Sequence, residues 1–202
     1  MSHFWNQRFA EPGYKYGTAP NAFLQAESPR LPPGGRVLVP GDGEGRNGVW
    51  LAQQGLRVCS VDSSQVGLDK ARALAAGRGV SLDIEAGDLE VWAPMPGMWD
   101  ALVLVFVHLP SAFRAGAHRR LARGLAPGGV VIVEAFHPDQ IGRTSGGPKD
   151  LDMLYTLAQL RDDFASLCDE LVGWEGEVLL DEGPGHQGPG CVTRYVGRRR
   201  GG

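Results

Sequence analysis

Short apolar runs alternate with longer stretches in which apolar positions recur about every three or four residues. Arg36–Val39, Arg57–Val61 and Val130–Ala135 are too short and too β-branched for helices and predict strands. Asp100–Val107 is apolar almost throughout and predicts a central strand buried on both faces. Ser81–Glu85 alternates polar and apolar residues, as at a sheet edge. Helical patterning covers Asn47–Gln54, Gln65–Ala76, Ser111–Leu125 and Leu157–Leu167. Gly55 caps the first of these. In the third, Phe113, Ala117, Leu121 and Leu125 are spaced for one face, and Ser111 stands at the cap position. Leu171–Leu180 and Cys191–Arg198 flank the glycine-rich stretch 183–190, which predicts an antiparallel hairpin with His186 at its tip. The expected fold is α/β: a seven-stranded mixed sheet, helices on both faces, and a C-terminal antiparallel hairpin.

The first strand runs into Pro40-Gly41-Asp42-Gly43-Glu44-Gly45, and a helix starts at once. Strand, glycine turn and helix let a backbone approach a ligand closely, although a ligand-free βα turn has the same look. Asp62 closes the second strand 17 residues beyond Gly45. In a parallel sheet its carboxylate stands beside the turn and can accept from both hydroxyls of a ribose. Ser63 and Ser64 make the same place a helix N-cap region. Asp88, after the third strand, falls on the same rim, where it can take an adenine amino group or be a solvated turn residue. His108 follows the fourth strand and Phe136 the fifth, at the ends where α/β sheets hold ligands. A structural, hydrogen-bonded role for His108 stays open. The glycine-rich segment 139–150 reads as a lid or as an ordinary connection.

Residues 1–35 form an aromatic, proline-punctuated segment ahead of the core at 36–202. Trp5 and Phe9 can share a helix face; most of these aromatics are expected to pack on the domain edge, with Tyr14–Gly17 as the part that closes over a ligand. Length fits one domain, 1–202. A net charge of −3 offers no general pull toward nucleic acid or an anionic membrane, and the basic run Arg198–Arg200 reads as a solvated terminus. Three scattered cysteines fit a reducing cytoplasm better than a disulfide framework, and no metal site is expected. No apolar run nears the ~20 residues of a membrane span.

These residues resemble the class I S-adenosylmethionine-dependent methyltransferases. Val37–Gly45 is similar to that family's first motif, Asp62 to its ribose-binding acid, Asp88 to its adenine-side acid, and Leu125–Gly129 to the turn before its fifth strand. Tyr16–Phe23 and Glu134–Phe136 look like the tellurite-resistance and thiopurine or thiol methyltransferase branch. Two departures stand out: Val39 where many members carry an acid, and Asp42 where a cysteine or small residue is common.

The resemblance implies a Rossmann-like core with S-adenosylmethionine against Tyr16, Gly41, Asp42, Gly43, Gly45, Asn47, Asp62, Ser63, Asp88, Leu89 and Phe106. Positions after strands four and five, beyond the glycine-rich loop and at the hairpin tip place an acceptor pocket at Phe136 and Tyr155, with His108 and His186 as catalytic candidates and Tyr16 above. The expected acceptor is a small molecule, a thiol or reduced chalcogen compound, because the chain has no basic stripe beside the turn for a phosphate backbone. Two rivals remain. Gly43–Gly48 also matches the dinucleotide fingerprint of an NAD-dependent oxidoreductase, although Gly41 then sits out of place. A non-catalytic S-adenosylmethionine-binding module is the other.

Overall fold

The computed structural model describes residues 2–201. Arg36–Pro40 (β1), Arg57–Asp62 (β2), Asp83–Ala86 (β3), Trp99–Val105 (β4) and Leu125–Phe136 (β5) run parallel. Cys168–Asp181 (β6) and Gln187–Arg199 (β7) form the hairpin, and β7 pairs antiparallel with β5. The resulting seven-stranded order is β3-β2-β1-β4-β5-β7-β6.

Period-two alternation in β4 shows why this sheet is covered twice. Leu102 and Leu104 face the layer built with α5 (Ser111–Ala122) and α6 (Leu157–Phe164). Ala101, Val103 and Val105 face the other layer, with Phe23 and Leu24 of α2 (Ala22–Glu27) and Leu51 of α3 (Arg46–Gln53). All five strand residues are buried, and burial of a Val or Leu side chain contributes ~1.5–3 kcal/mol. Helices α1 (Ser2–Phe9) and α4 (Gln65–Gly77) complete the described set. Among the described residues no helix is long and apolar enough to cross a membrane.

Several boundaries differ from the patterning, each for a physical reason. β4 stops at Val105, because Phe106 takes φ 54° and turns out of the strand. Helix α5 ends at Ala122, and Leu125 belongs to β5. Phe113 is 42% exposed; the buried side of α5 instead carries Arg114 and His118, which both reach Asp163 Oδ2 of α6, at 2.9 and 2.8 Å. Ser111 is not the cap: Pro110 holds that position, and the Ser111 N–H donates to Asp152 Oδ2 at 3.0 Å. Helix α6 opens on a reciprocal capping box of Thr156 and Gln159. Arg200 is tied down rather than simply solvated, donating to Asp169 at 2.8 Å and to the carbonyls of Ala165 and Cys168. Helix α2 was not visible in the hydrophobic pattern; Asn21 caps it, accepting from Leu24 N–H at 2.8 Å.

Candidate active site

The strand order reverses between β1 and β4, and a cavity of about 780 Å³ lies over the carboxyl ends of the strands there. One wall is the glycine turn. Gly43 takes φ 58°, and its N–H donates to Asp62 Oδ2 at 2.9 Å. Asp62 Oδ1 accepts from Ser64 N–H at 2.8 Å, and Ser64 in turn caps α4 through Gly67 N–H. The two expectations for this place therefore coexist: Asp62 organises the turn on the cavity rim while Ser64 starts the helix. Burial raises the Asp62 carboxyl, opposed by the N–H donors of Ser64 and Gly43.

One glycine-turn residue is placed otherwise than expected, and another lines the cavity with its carboxylate already engaged. Gly45 does not line the cavity. It takes φ 89° at the head of α3, and a Cβ there would stand 2.6 Å from Ala71 Cβ, so its bareness lets α4 pack. The Asp42 carboxylate is engaged within the protein, accepting from Ser60 Oγ at 2.5 Å and Gly48 N–H at 3.2 Å. The residue nevertheless lines the cavity. Burial pushes its pKa up to about 6 against these two hydrogen bonds.

Gly41, Asn47, Ser63, Asp88 and Leu89 all line the cavity. Asn47 Oδ1 accepts from Asn21 N–H at 2.9 Å, and the exposed Asp88 accepts from Glu90 N–H at 3.0 Å.

The other end of the cavity is aromatic. Phe106 stacks on Phe136 with ring centroids 4.6 Å apart. The His186 ring sits 4.4 Å from both Phe106 and Tyr16. His186 lies in the hairpin connection, which crosses the N-terminal segment: Gly185 N–H donates to Lys15 O at 3.0 Å, and a Cβ on Gly185 would strike the Tyr16 ring. Positive φ at Phe106 is a strained conformation for a non-glycine residue, and it falls where the ring must leave the sheet for the cavity.

Both histidines are neutral. His108 Nδ1 lies 2.6 Å from the Met153 carbonyl, which can only accept, so this nitrogen carries the proton. Its Nε2 faces Phe136 N–H at 3.4 Å. Burial lowers the His108 pKa to about 4. Burial, then the charge of Arg46, lowers His186 to about 3, and its Nδ1 has no partner among the described residues.

Tyr155 does not line the cavity. It is fully buried behind the wall, where its hydroxyl donates to Leu109 O at 3.2 Å and takes the Leu109 N–H. Its ring packs 5.2 Å from His108, so it supports that residue from behind.

Other wall residues were not foreseen. Phe4, Trp5 and Phe9 of α1 line the cavity instead of merely packing on the domain edge. A buried polar network also stands beside it. Asn21 donates its side-chain amide to Glu134 and, at 2.7 Å, to Glu182. Glu182 accepts from Arg46 Nη2 at 2.6 Å, and Glu134 from Arg194 Nε at 2.6 Å. Arg46 lines the cavity, and its Nη1 is buried without a partner. The only sequence signal was that Asn21 and Glu134 lie in the two branch-like motifs.

Residues 37–129 match a family described as a methyltransferase domain. The chain is 30% identical over 161 residues to a thiopurine S-methyltransferase of Xanthobacter autotrophicus Py2, covering 67% of this chain and 74% of that one. A thiopurine S-methyltransferase of Bordetella pertussis Tohama I is 31% identical over 175 residues, covering 74% and 76%. A solved structure described under conversion of a disulfide bond into a thioacetal group during echinomycin biosynthesis superposes with a TM-score of 0.80 at 18% identity, over 99% of this chain and 92% of that one. The chain belongs to the class I S-adenosylmethionine-dependent methyltransferases. Within them it is similar to the bacterial thiopurine S-methyltransferases, and its cofactor is S-adenosylmethionine. Nothing in the comparisons supports the oxidoreductase reading.

Proposed function

We propose that the enzyme methylates a small thiol or reduced chalcogen compound held at the aromatic end of the cavity. The observation that carries this reading is the state of the two histidines there. Both are neutral and well below their ordinary value, so neither is a strong base near neutral pH. An acceptor that brings its own nucleophile suits such a site. A thiol, with a pKa near 8.5, supplies a useful thiolate fraction without help.

The residues fit the cofactor. Gly41 and Gly43 line the cavity at positive φ, and Asp62 retains lone pairs for ribose hydroxyls. Asp88 would accept from the adenine amino group, Leu89 and Phe106 would hold the base and the ribose side, and Asn47 and Ser63 line the same cavity. Arg46 Nη1, a buried donor without an acceptor, suits the carboxylate of the amino-acid end. When bound, the cofactor supplies a methyl group on a positively charged sulfur. The protein's work is positional: Phe106, Phe136 and Tyr16 hold the acceptor in line and exclude water. His186 Nδ1 is left to hydrogen-bond the acceptor, and His108, fixed by Met153, keeps the floor rigid.

The test is turnover with methyl-labelled cofactor across thiols, tellurite or selenite, catechols, amines and oligonucleotides. Methylation of thiols or chalcogen compounds is expected. Robust methylation of oligonucleotides, with none of any chalcogen compound, would overturn the assignment.

A further inference from the structure

Where the carboxyl end of β5 meets β7, three side chains of different donor type converge. A ring nitrogen of His137, a carboxylate oxygen of Asp139 and the sulfur of Cys191 lie within 4.8 Å of one another. None of the three lines the cavity. The backbone explains the meeting. His137 follows β5 and its N–H donates to the Cys191 carbonyl of β7 at 3.0 Å, which sets the two residues opposite each other. Asp139 lies one turn on, in the short 3-10 helix Pro138–Gln140.

We propose that His137, Asp139 and Cys191 bind a divalent transition-metal ion of the zinc type, with solvent at the remaining position. Nitrogen, oxygen and sulfur donors together are the ligand set for such an ion, and not for magnesium or calcium, which take oxygen ligands. Bond lengths of about 2.0–2.3 Å put tetrahedral ligand atoms roughly 3.3–3.6 Å apart. His137 Nδ1 and Asp139 Oδ2 are already 3.5 Å apart, and the Asp139 side chain is 73% exposed and free to adjust.

A second observation points the same way. The other nitrogen of His137, Nε2, faces Glu175 Oε2 at 3.6 Å, longer than a hydrogen bond, and that oxygen already accepts from Leu157 N–H at 2.6 Å. A ligating histidine commonly gives its second N–H to a carboxylate, which fixes tautomer and ring orientation. His137 Nδ1 now accepts from the Asp139 N–H at 3.1 Å, so the proton belongs on Nε2, as ligation through Nδ1 requires. The Asp139 N–H would give up this acceptor to the metal. Metal binding also displaces the thiol proton of Cys191 to solvent, forming a metal–thiolate bond.

The ion would tie the start of the segment 138–150 to β7. The far part of that segment, Gly146–Asp150, lines the cavity, so the site braces a wall of the acceptor pocket without entering it.

The test is titration of the tag-free, metal-stripped full chain with cobalt(II), followed by competition with zinc(II). One equivalent should bind and give a sulfur-to-cobalt charge-transfer band with the strong visible bands of four-coordinate cobalt. Cys191→Ser should abolish the charge-transfer band, and His137→Gln and Asp139→Asn should each weaken binding roughly tenfold or more. Asp139→Asn keeps the test decisive if the buried Cys191→Ser fails to fold, because Asp139 is a surface side chain. Absence of a thiolate band, a band that survives in Cys191→Ser, or unchanged affinity in Asp139→Asn would overturn the proposal.

Discussion

Asp42→Asn is expected to make the protein more stable at neutral and alkaline pH while leaving the cofactor bound. The Asp42 carboxylate is buried with two hydrogen bonds, from Ser60 and Gly48, and no ion-pair partner within salt-bridge distance among the described residues. Burial raises its pKa from 3.8 to about 6. The sign follows from linkage: the folded state binds the proton more tightly, so this group's favourable contribution is full below 3.8 and lost as pH rises through about 6. Above that range ionisation in the folded state costs about 3 kcal/mol. Asparagine avoids the charge but turns one acceptor into a donor, at a cost of about 1 kcal/mol once the Ser60 hydroxyl rotates. The net gain is about 2 kcal/mol near pH 8, or roughly 4–8 °C in melting temperature for a chain of this size. It should shrink to below about 1 kcal/mol near pH 5, since the wild-type carboxyl is then increasingly protonated. Urea denaturation of both proteins at the two pH values reads this directly. A variant no more stable than wild type near pH 8, or a gain that does not change with pH, would refute the reasoning.

Asp62→Ala should weaken S-adenosylhomocysteine binding by roughly 10–100-fold, the worth of hydrogen bonds to a charged group, and calorimetry on the folded variant decides it. The same change removes the acceptor for Gly43 and Ser64 N–H, so melting should also fall, whereas Ser64→Ala should lose stability by ~1 kcal/mol with affinity kept. Gly45→Ala should destabilise by roughly 1–3 kcal/mol in denaturant titration, from positive φ and the clash with Ala71, without a direct effect on the ligand. His186 contributes stability that is present above pH 6.5 and lost as pH falls toward about 3. At about pH 5 that loss is about 2 kcal/mol, and His186→Phe should remove it; an unchanged pH–stability curve would count against the buried neutral ring.

The central strands were legible because burial on both faces leaves a local mark, an unbroken β-branched run. Asp62 was legible for a similar reason: a carboxylate at a strand end, at a fixed distance from a glycine turn, has few other places to go. Gly45 shows where such reading stops. Its need for positive φ is written in the glycine, but its neighbour Ala71 is not, so a packing role and a ligand role look the same. On α5 the reading placed Ala117 and Leu121 correctly but missed that Arg114 and His118 are buried by Asp163, a partner 45 to 49 residues away, while Phe113 faces out. Asn21, Glu134, Glu182 and Arg46 form one network across as many as 161 residues, and no periodicity announces it. Tyr155 was assigned to the pocket by its loop, yet the hydroxyl's demand for the Leu109 backbone turned it inward.

The most direct measurement is the rate of methyl transfer to an alkyl thiol with a pKa near 8.5 and to its hydroxyl isostere, each followed from about pH 6 to 9. With both histidines neutral and weakly basic, the thiol should be methylated at a rate that rises with its own ionisation. The hydroxyl compound should be at least about 100-fold slower, since general-base assistance is worth roughly 10²–10⁴ and is missing here. Comparable rates for the two acceptors, or a rate that tracks an enzyme group titrating near 6.5 instead of the thiol, would contradict the account.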